Sequence, residues 1–317
     1  MRIMIALGGN ALLERGDRPD AETQRLNVVK AVEAIAPLAE EHDLIITHGN
    51  GPQVGVLAAQ SAQDASLSRP YPFDALGAQT QGMIGYWILQ ALQNALPARQ
   101  VASITNQTLV LAHDPAFAHP TKFVGKVMTE QEAHEVAAQM GWTVKQDGKH
   151  WRRVVPSPVP QRVVETRIAR LLVESGAVVV CSGGGGIPVI RDERGHLQGV
   201  EAVVDKDRTA SMLAEALECD ALLILTDVPY VVRDYGTDRA TNITKITPGA
   251  LRAIDFPDGS MGPKIDAVCR FVELTGDMAA IGRLEDVQAI LDGESGTIVT
   301  PGGNYNGAGD LGSRRNF

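Results

Sequence analysis

Short apolar runs that each lead into a glycine turn set the first pattern in the chain. Residues 3–7 (IMIAL), 44–47 (LIIT) and 177–181 (AVVVC) are brief, almost wholly apolar and bounded by turn residues, as strands buried on both faces of a parallel sheet are. Helical spacing follows the first: Leu26, Val29, Val32, Ile35 and Leu38 recur within 21–41, and Asp20 is placed to cap the start. Further helices are predicted over 51–63 and 74–96, and a strand over 101–111. From Arg162 the alternation resumes with a helix over 162–175, the strand at 177–181, a short hairpin through Gly195, a helix over 207–218 and a strand over 221–226. A helix over 261–274, a strand over 278–281, a helix over 284–291 and a last strand over 296–299 complete it. The alternation predicts an α/β sheet of many parallel strands.

Between these stretches the pattern breaks. Residues 113–160 hold five prolines and a helix-like segment at 129–140, and the runs WTVKQ and HWRRVV flank the turn AspGlyLys at 147–149, which reads as a hairpin. An insertion of this length is expected to be a lid or binding arm. A structural excursion or an oligomer contact is the plainer alternative.

The glycine segments AlaLeuGlyGlyAsn at 6–10, HisGlyAsnGly at 48–51 and SerGlyGlyGlyGly at 182–186 stand at strand C-terminal ends. Helix N-termini converge at that edge of an open α/β sheet, and their free N–H groups favour anions. A residue without a Cβ lets the backbone close on a phosphate. The familiar motifs are absent all the same: nothing fits G-x-x-x-x-G-K-[ST], and Val180 stands where a nucleophile elbow at Ser182 needs glycine. Gly307, Gly309 and Gly312 match G-x-G-x-x-G by spacing alone, with no strand before them and five residues after.

Composition narrows the partners. With 317 residues the chain can bury a sizeable core as one large domain or two lobes, and its hydrophobic share of 44% is evenly spread. No apolar run approaches the ~20 residues of a membrane span, and no signal-peptide pattern precedes the first strand; a cytoplasmic protein is expected. Cys181, Cys219 and Cys269 form neither a disulfide framework nor a zinc pattern. The net charge of −9 argues against nucleic acid or an anionic membrane as main partner, so an anion site must be a local basic pocket.

That makes two lysines informative. Lys206 lies between carboxylates in ValValAspLysAsp at 203–207, and Lys264 falls in the first turn of a helix after a Gly-Pro entry. The macrodipole disfavours a cation there, so the placement makes sense if a polyanion binds between charge and dipole, as phosphoryl transfer requires. A surface ion pair is the bland alternative for Lys206. His48 either caps its strand end or touches ligand, and Tyr86 and Trp87 belong to the core or to a dimer contact.

The blocks GGNALL at 8–13, HGNGPQVG at 48–55, QGMIGY at 81–86, PTKFVG at 120–125, WRRVVPSP at 151–158, SGGGGIPV at 182–189, EAVVDKD at 201–207, LILTDV at 223–228 and DGSMGPK at 258–264 closely resemble the carbamate kinase family of the amino-acid kinase superfamily. The resemblance runs over about residues 1–300. It implies a three-layer αβα sandwich around a mainly parallel sheet, an inserted lid over 113–160, a cytoplasmic homodimer, and reversible magnesium-dependent phosphoryl transfer between ATP and carbamate. An N-terminal lobe over 1–177 would take the carbamate end, a lobe over 178–300 the nucleotide, and the glycine- and asparagine-rich 301–317 would be a disordered tail.

Carried over residue by residue, Gly8, Gly9 and Asn10 with Gly49, Asn50 and Gly51 would hold carbamoyl phosphate. Lys206 and Lys264 would bracket the moving phosphoryl group, Asp207 would orient them, and Lys122 would reach down from the lid. Gly183, Gly184 and Gly185 would contact phosphates, and Thr226, Asp227, Tyr230 and Met261 would serve the nucleotide; Thr226, Asp227 and Tyr230 read equally as turn residues. Magnesium would arrive on nucleotide phosphates and water. Other superfamily members carry a first-strand lysine where this chain has Ala6, which favours carbamate kinase over an acetylglutamate kinase.

Overall fold

In the computed structural model, which describes residues 1–9, 12–13, 17–256 and 261–302, the first strand shows why its sequence is apolar throughout. Along Arg2–Leu7 successive side chains enter opposite cores: Ile3, Ile5 and Leu7 face one cluster, Met4 and Ala6 the other. Helices Ala21–Ile35, Phe73–Ala95 and Val287–Leu291 cover the first face, and Thr166–Glu174, Lys206–Ala216 and Met261–Thr275 the second. This is the expected three-layer αβα sandwich.

The central sheet runs, edge to edge, Lys245–Ile246, Thr297–Val299, Met278–Arg283, Ala221–Thr226, Arg2–Leu7, Asp43–His48, Val178–Val180 and Val101–Ser103. Only the pairing of Met278–Arg283 with Thr297–Val299 is antiparallel. Strand 2–7 sits centrally, hydrogen-bonded to 43–48 on one side and to 221–226 on the other. The ends of these strands, with that of Val178–Val180, carry the glycine turns to one edge.

The inserted segment folds as a three-stranded antiparallel sheet, in the order Lys122–Met128, His150–Val155, Thr143–Asp147, with helix Glu130–Met140. The hairpin is as expected, with Asp147 opposite His150 across Gly148 and Lys149. A capping box of Thr129 and Glu132 starts the helix, and Gly141 ends it in the left-handed region. Val124 and Val155 pack with Val54, Ala58, Phe73 and Leu76 of the body.

Some local expectations give way. Asp20 precedes the first helix without any side-chain capping bond. The strand expected over 101–111 is two: Val101–Ser103 stays in the main sheet, while Gln107–Leu109 joins a second sheet with Leu197–Gly199, Ile187–Arg191 and Arg162–Val163. Buried Asn106 causes the break, since its backbone pairs with the Gln81 amide and its side chain with Ser182. Strand Lys122–Met128 and the short elements between Val231 and Arg252 have no counterpart in the predicted pattern. No helix among the described residues is long and apolar enough to cross a membrane.

Candidate active site

The glycine turns meet backbone to backbone. Gly8 N donates to Leu225 O at 2.8 Å and Gly49 N to Leu7 O at 2.9 Å, so each turn is fastened to the neighbouring strand. A Cβ at Gly49 would lie 2.9 Å from Gly9 N, closer than real side chains come. The third turn folds onto the second: a Cβ at Gly183 would fall 2.2 Å from His48 Nε2, and one at Gly184 2.2 Å from Asn50 Nδ2. Gly184, Gly185 and Gly186 also hold φ of +65°, +90° and +89°, a region open to glycine.

Helix Gly51–Gln63 begins at this floor. Its N-cap Asn50 makes no capping bond; the Asn50 amide donates instead to Thr80 Oγ1 at 2.9 Å. The first turn therefore presents uncapped N–H groups to the turns, as an anion site does.

The charged half sits on helix Lys206–Ala216. Lys206 Nζ donates to Asp207 Oδ1, and Lys264 Nζ reaches Asp207 Oδ2 at 3.0 Å. One buried carboxylate thus holds two lysines from two helices. Asp205 does comparable work. Its Oδ1 accepts from Asp207 N at 3.0 Å and Arg208 N at 3.3 Å, capping the helix, while Oδ2 takes Lys122 Nζ of the lid at 2.7 Å. The lid is further tied by Arg153 to Glu201 at 3.0 Å and by Val203 N to Pro156 O at 3.0 Å.

Burial opposes ionisation of Asp205 and Asp207, but the lysine charges outweigh it and hold both carboxyls below the usual range. Burial lowers the Lys206 ammonium, against which Asp207 works. His48 is fully buried and lowered to about 4, chiefly by burial, against the bond between its Nδ1 and Gly49 O at 3.0 Å; Lys206 pushes it further down. It is therefore neutral near pH 7, with Nδ1–H donating.

The structure brings together Gly8, Gly9, Gly49, Asn50, Gly51, Gly183 and Gly184 as one floor, and Lys206, Asp207 and Lys264 as one cluster. Gly185 links the two: its carbonyl accepts from Thr209 Oγ1 at 3.0 Å. Thr226 borders the floor, with its Cα 3.6 Å from where a Gly8 Cβ would be, and its hydroxyl donates to Asp227 at 3.1 Å. Half-buried Tyr230 and Met261 share no hydrogen bond with the lysine cluster among the described residues. Asn10 lies outside the described residues, as do 303–317 and 258–260 of the DGSMGPK block. Asp205 was legible only as a flanking charge; an aspartate immediately before a helix is the N-cap signal that could have singled it out. Trp87 is in the core, whereas Tyr86 is half exposed.

A glycine floor facing clustered lysines at the C-terminal edge of a parallel sheet defines a phosphotransferase, and the model of the amino acid kinase family matches residues 1–281. The carbamate kinase of Rhizobium meliloti is 50% identical over 95% of this chain and 93% of its own length, and that of Haemophilus influenzae 48% over 95% and 97%. Carbamate kinase from Giardia lamblia bound to AMP-PNP superposes with a TM-score of 0.87 at 38% identity, covering 94% of this chain and 98% of the other. The chain belongs to the carbamate kinases of that family.

Proposed function

We infer that the chain catalyses ATP + carbamate = ADP + carbamoyl phosphate, reversibly and with magnesium, and that it serves catabolism by making ATP from carbamoyl phosphate. The observation that carries this reading is the charge cluster: Lys122, Lys206 and Lys264 ammonium groups arranged on Asp205 and Asp207.

Carbamate oxygen is already anionic, so its attack on a phosphorus needs no general base. What the transfer needs is positive charge fixed where negative charge spreads over the phosphoryl oxygens. Lys206 and Lys264 supply it from below, and Lys122 supplies it from the lid. Asp207 holds the first two in register, and Asp205 does the same for the third. The floor of Gly8, Gly9, Asn10, Gly49, Asn50 and Gly51 takes the carbamoyl phosphate end. Contact of Gly183 and Gly184 with His48 and Asn50 supports a phosphate role for Gly183, Gly184 and Gly185. Thr226, Asp227, Tyr230 and Met261 serve the nucleotide. On this reading residues 1–177 form the carbamate lobe and 178–300 the nucleotide lobe.

Magnesium enters as part of the nucleotide substrate. Nucleotide phosphates and water supply its ligands, while both carboxylates of the cluster are engaged by lysines. The protein acts as a cytoplasmic homodimer; exposed Leu26, Val29 and Tyr86 on the paired helices 21–35 and 73–95 support a contact between copies there.

Pure protein given magnesium, ADP and carbamoyl phosphate should form ATP, and should not do so with acetylglutamyl phosphate or without magnesium. Phosphorylation of acetylglutamate with no turnover of carbamoyl phosphate would overturn the reading.

A further inference from the structure

Helix Gly51–Gln63 meets the lid along a face of small residues. At Gly55 the contact is main chain on main chain, since a Cβ there would lie 2.8 Å from Gly125 Cα. Farther along, helix and lid part to leave a cavity of about 220 Å³. Ala58, Ala59 and Ala62 of the helix form one wall, and Val124, Met128 and Trp142 of the lid the other. Arg153 also borders it, but its guanidinium is taken, stacked 4.2 Å over the Trp142 ring and paired with Glu201 at 3.0 Å.

We propose that this cavity is a binding site for an uncharged aromatic molecule of one or two rings, and that its occupancy controls the lid. Enclosed apolar cavities of about 150 Å³ take up benzene; this one is larger and opens to solvent beside exposed Gln63 and Gln139, so it has room for the next larger ring system. A charged ligand would surrender part of its hydration to a mostly apolar wall whose polar members, Gln63 and Gln139, carry no charge to offset it. Strand Lys122–Met128 provides the link to turnover: it contributes Val124 and Met128 to the wall and begins with Lys122, which sits on Asp205. A molecule packed against both walls fixes that strand to the helix whose N-terminus abuts the glycine floor. The lid then resists the opening that product release needs. Control of turnover rests on the role given to Lys122 above; binding does not.

The test is calorimetric titration of the full chain with indole, followed by steady-state rates with carbamoyl phosphate and ADP. Saturable binding is expected, with kcat lowered about fivefold and no relief by raising either substrate. Ala59→Leu, which fills the cavity without touching the charge cluster, should keep the basal rate and lose both binding and inhibition. Ala62→Val narrows the same space should the larger substitution fail to fold. Absence of binding, competition with ADP, or undiminished binding in both variants overturns the site, and binding without any change in kcat overturns the control. A chain that binds indole but never turns over carbamoyl phosphate would instead strike the proposed function.

Discussion

Asp205 spends one oxygen on the helix that carries Lys206 and the other on the lid lysine, and substitution can separate the two uses. Asparagine caps a helix about as well as aspartate, whereas alanine costs about 1 kcal/mol. Asp205→Asn should therefore lower kcat with little loss of stability, and should cost much less in a Lys122→Ala background, the remainder coming from its charge on Lys206. Asp205→Ala should lower both; equal melting temperatures for the two variants would contradict the dual use. Lys206→Ala should cut kcat by about 10²-fold or more with a much smaller change in nucleotide affinity. Combined with Asp207→Asn the losses should be far less than multiplicative, because the pair acts as one unit. His48 contributes at another pH. Its folded pKa of about 4 lies below the ordinary 6.5, so the unfolded chain takes up the proton first as pH falls. The stability it supports is fully present above pH 6.5 and declines toward pH 4, by about 3 kcal/mol. A His48→Gln chain should show a flatter urea midpoint over that range.

At the scale of elements the lid is the separable part. Lys122→Ala should lower turnover while leaving ADP binding nearly intact, measurable by comparing kcat with the calorimetric Kd; unchanged turnover would reduce the insertion to scaffold. Long periodic elements were legible from the sequence: helix 73–95 and strand 221–226 lie within a residue of their predicted bounds. The lysines and glycine turns were legible too, because charge at a helix start and glycine after an apolar run are local signals. Strand Lys122–Met128 was not, since its alternation is broken by Gly125 and its partner His150–Val155 is remote. The division of 101–111 depended on Gln81 and Ser182 reaching Asn106, contacts that no local pattern carries. The dual use of Asp205 likewise needed the lid folded over it.

For the whole molecule, the central pairing of 2–7 with 221–226 joins the two halves of the chain, and each core draws from both. Unfolding of the sheet should therefore be a single transition. Trp87 lies in the sheet core, whereas Trp142 and Trp151 belong to the lid. A chain with Trp142→Phe and Trp151→Phe should show fluorescence and far-UV dichroism midpoints that coincide in urea; separate midpoints would mean that the halves fold independently.

The glycine floor has an evolutionary corollary. Where Gly49 rests on Gly9 there is no side chain to exchange, so descent with modification finds little to vary there without parting the strands. Novelty must come from above, through the segment that hangs over the floor. A scaffold built in this way has its canopy free to change while the close approach of Gly49 to Gly9 stays fixed.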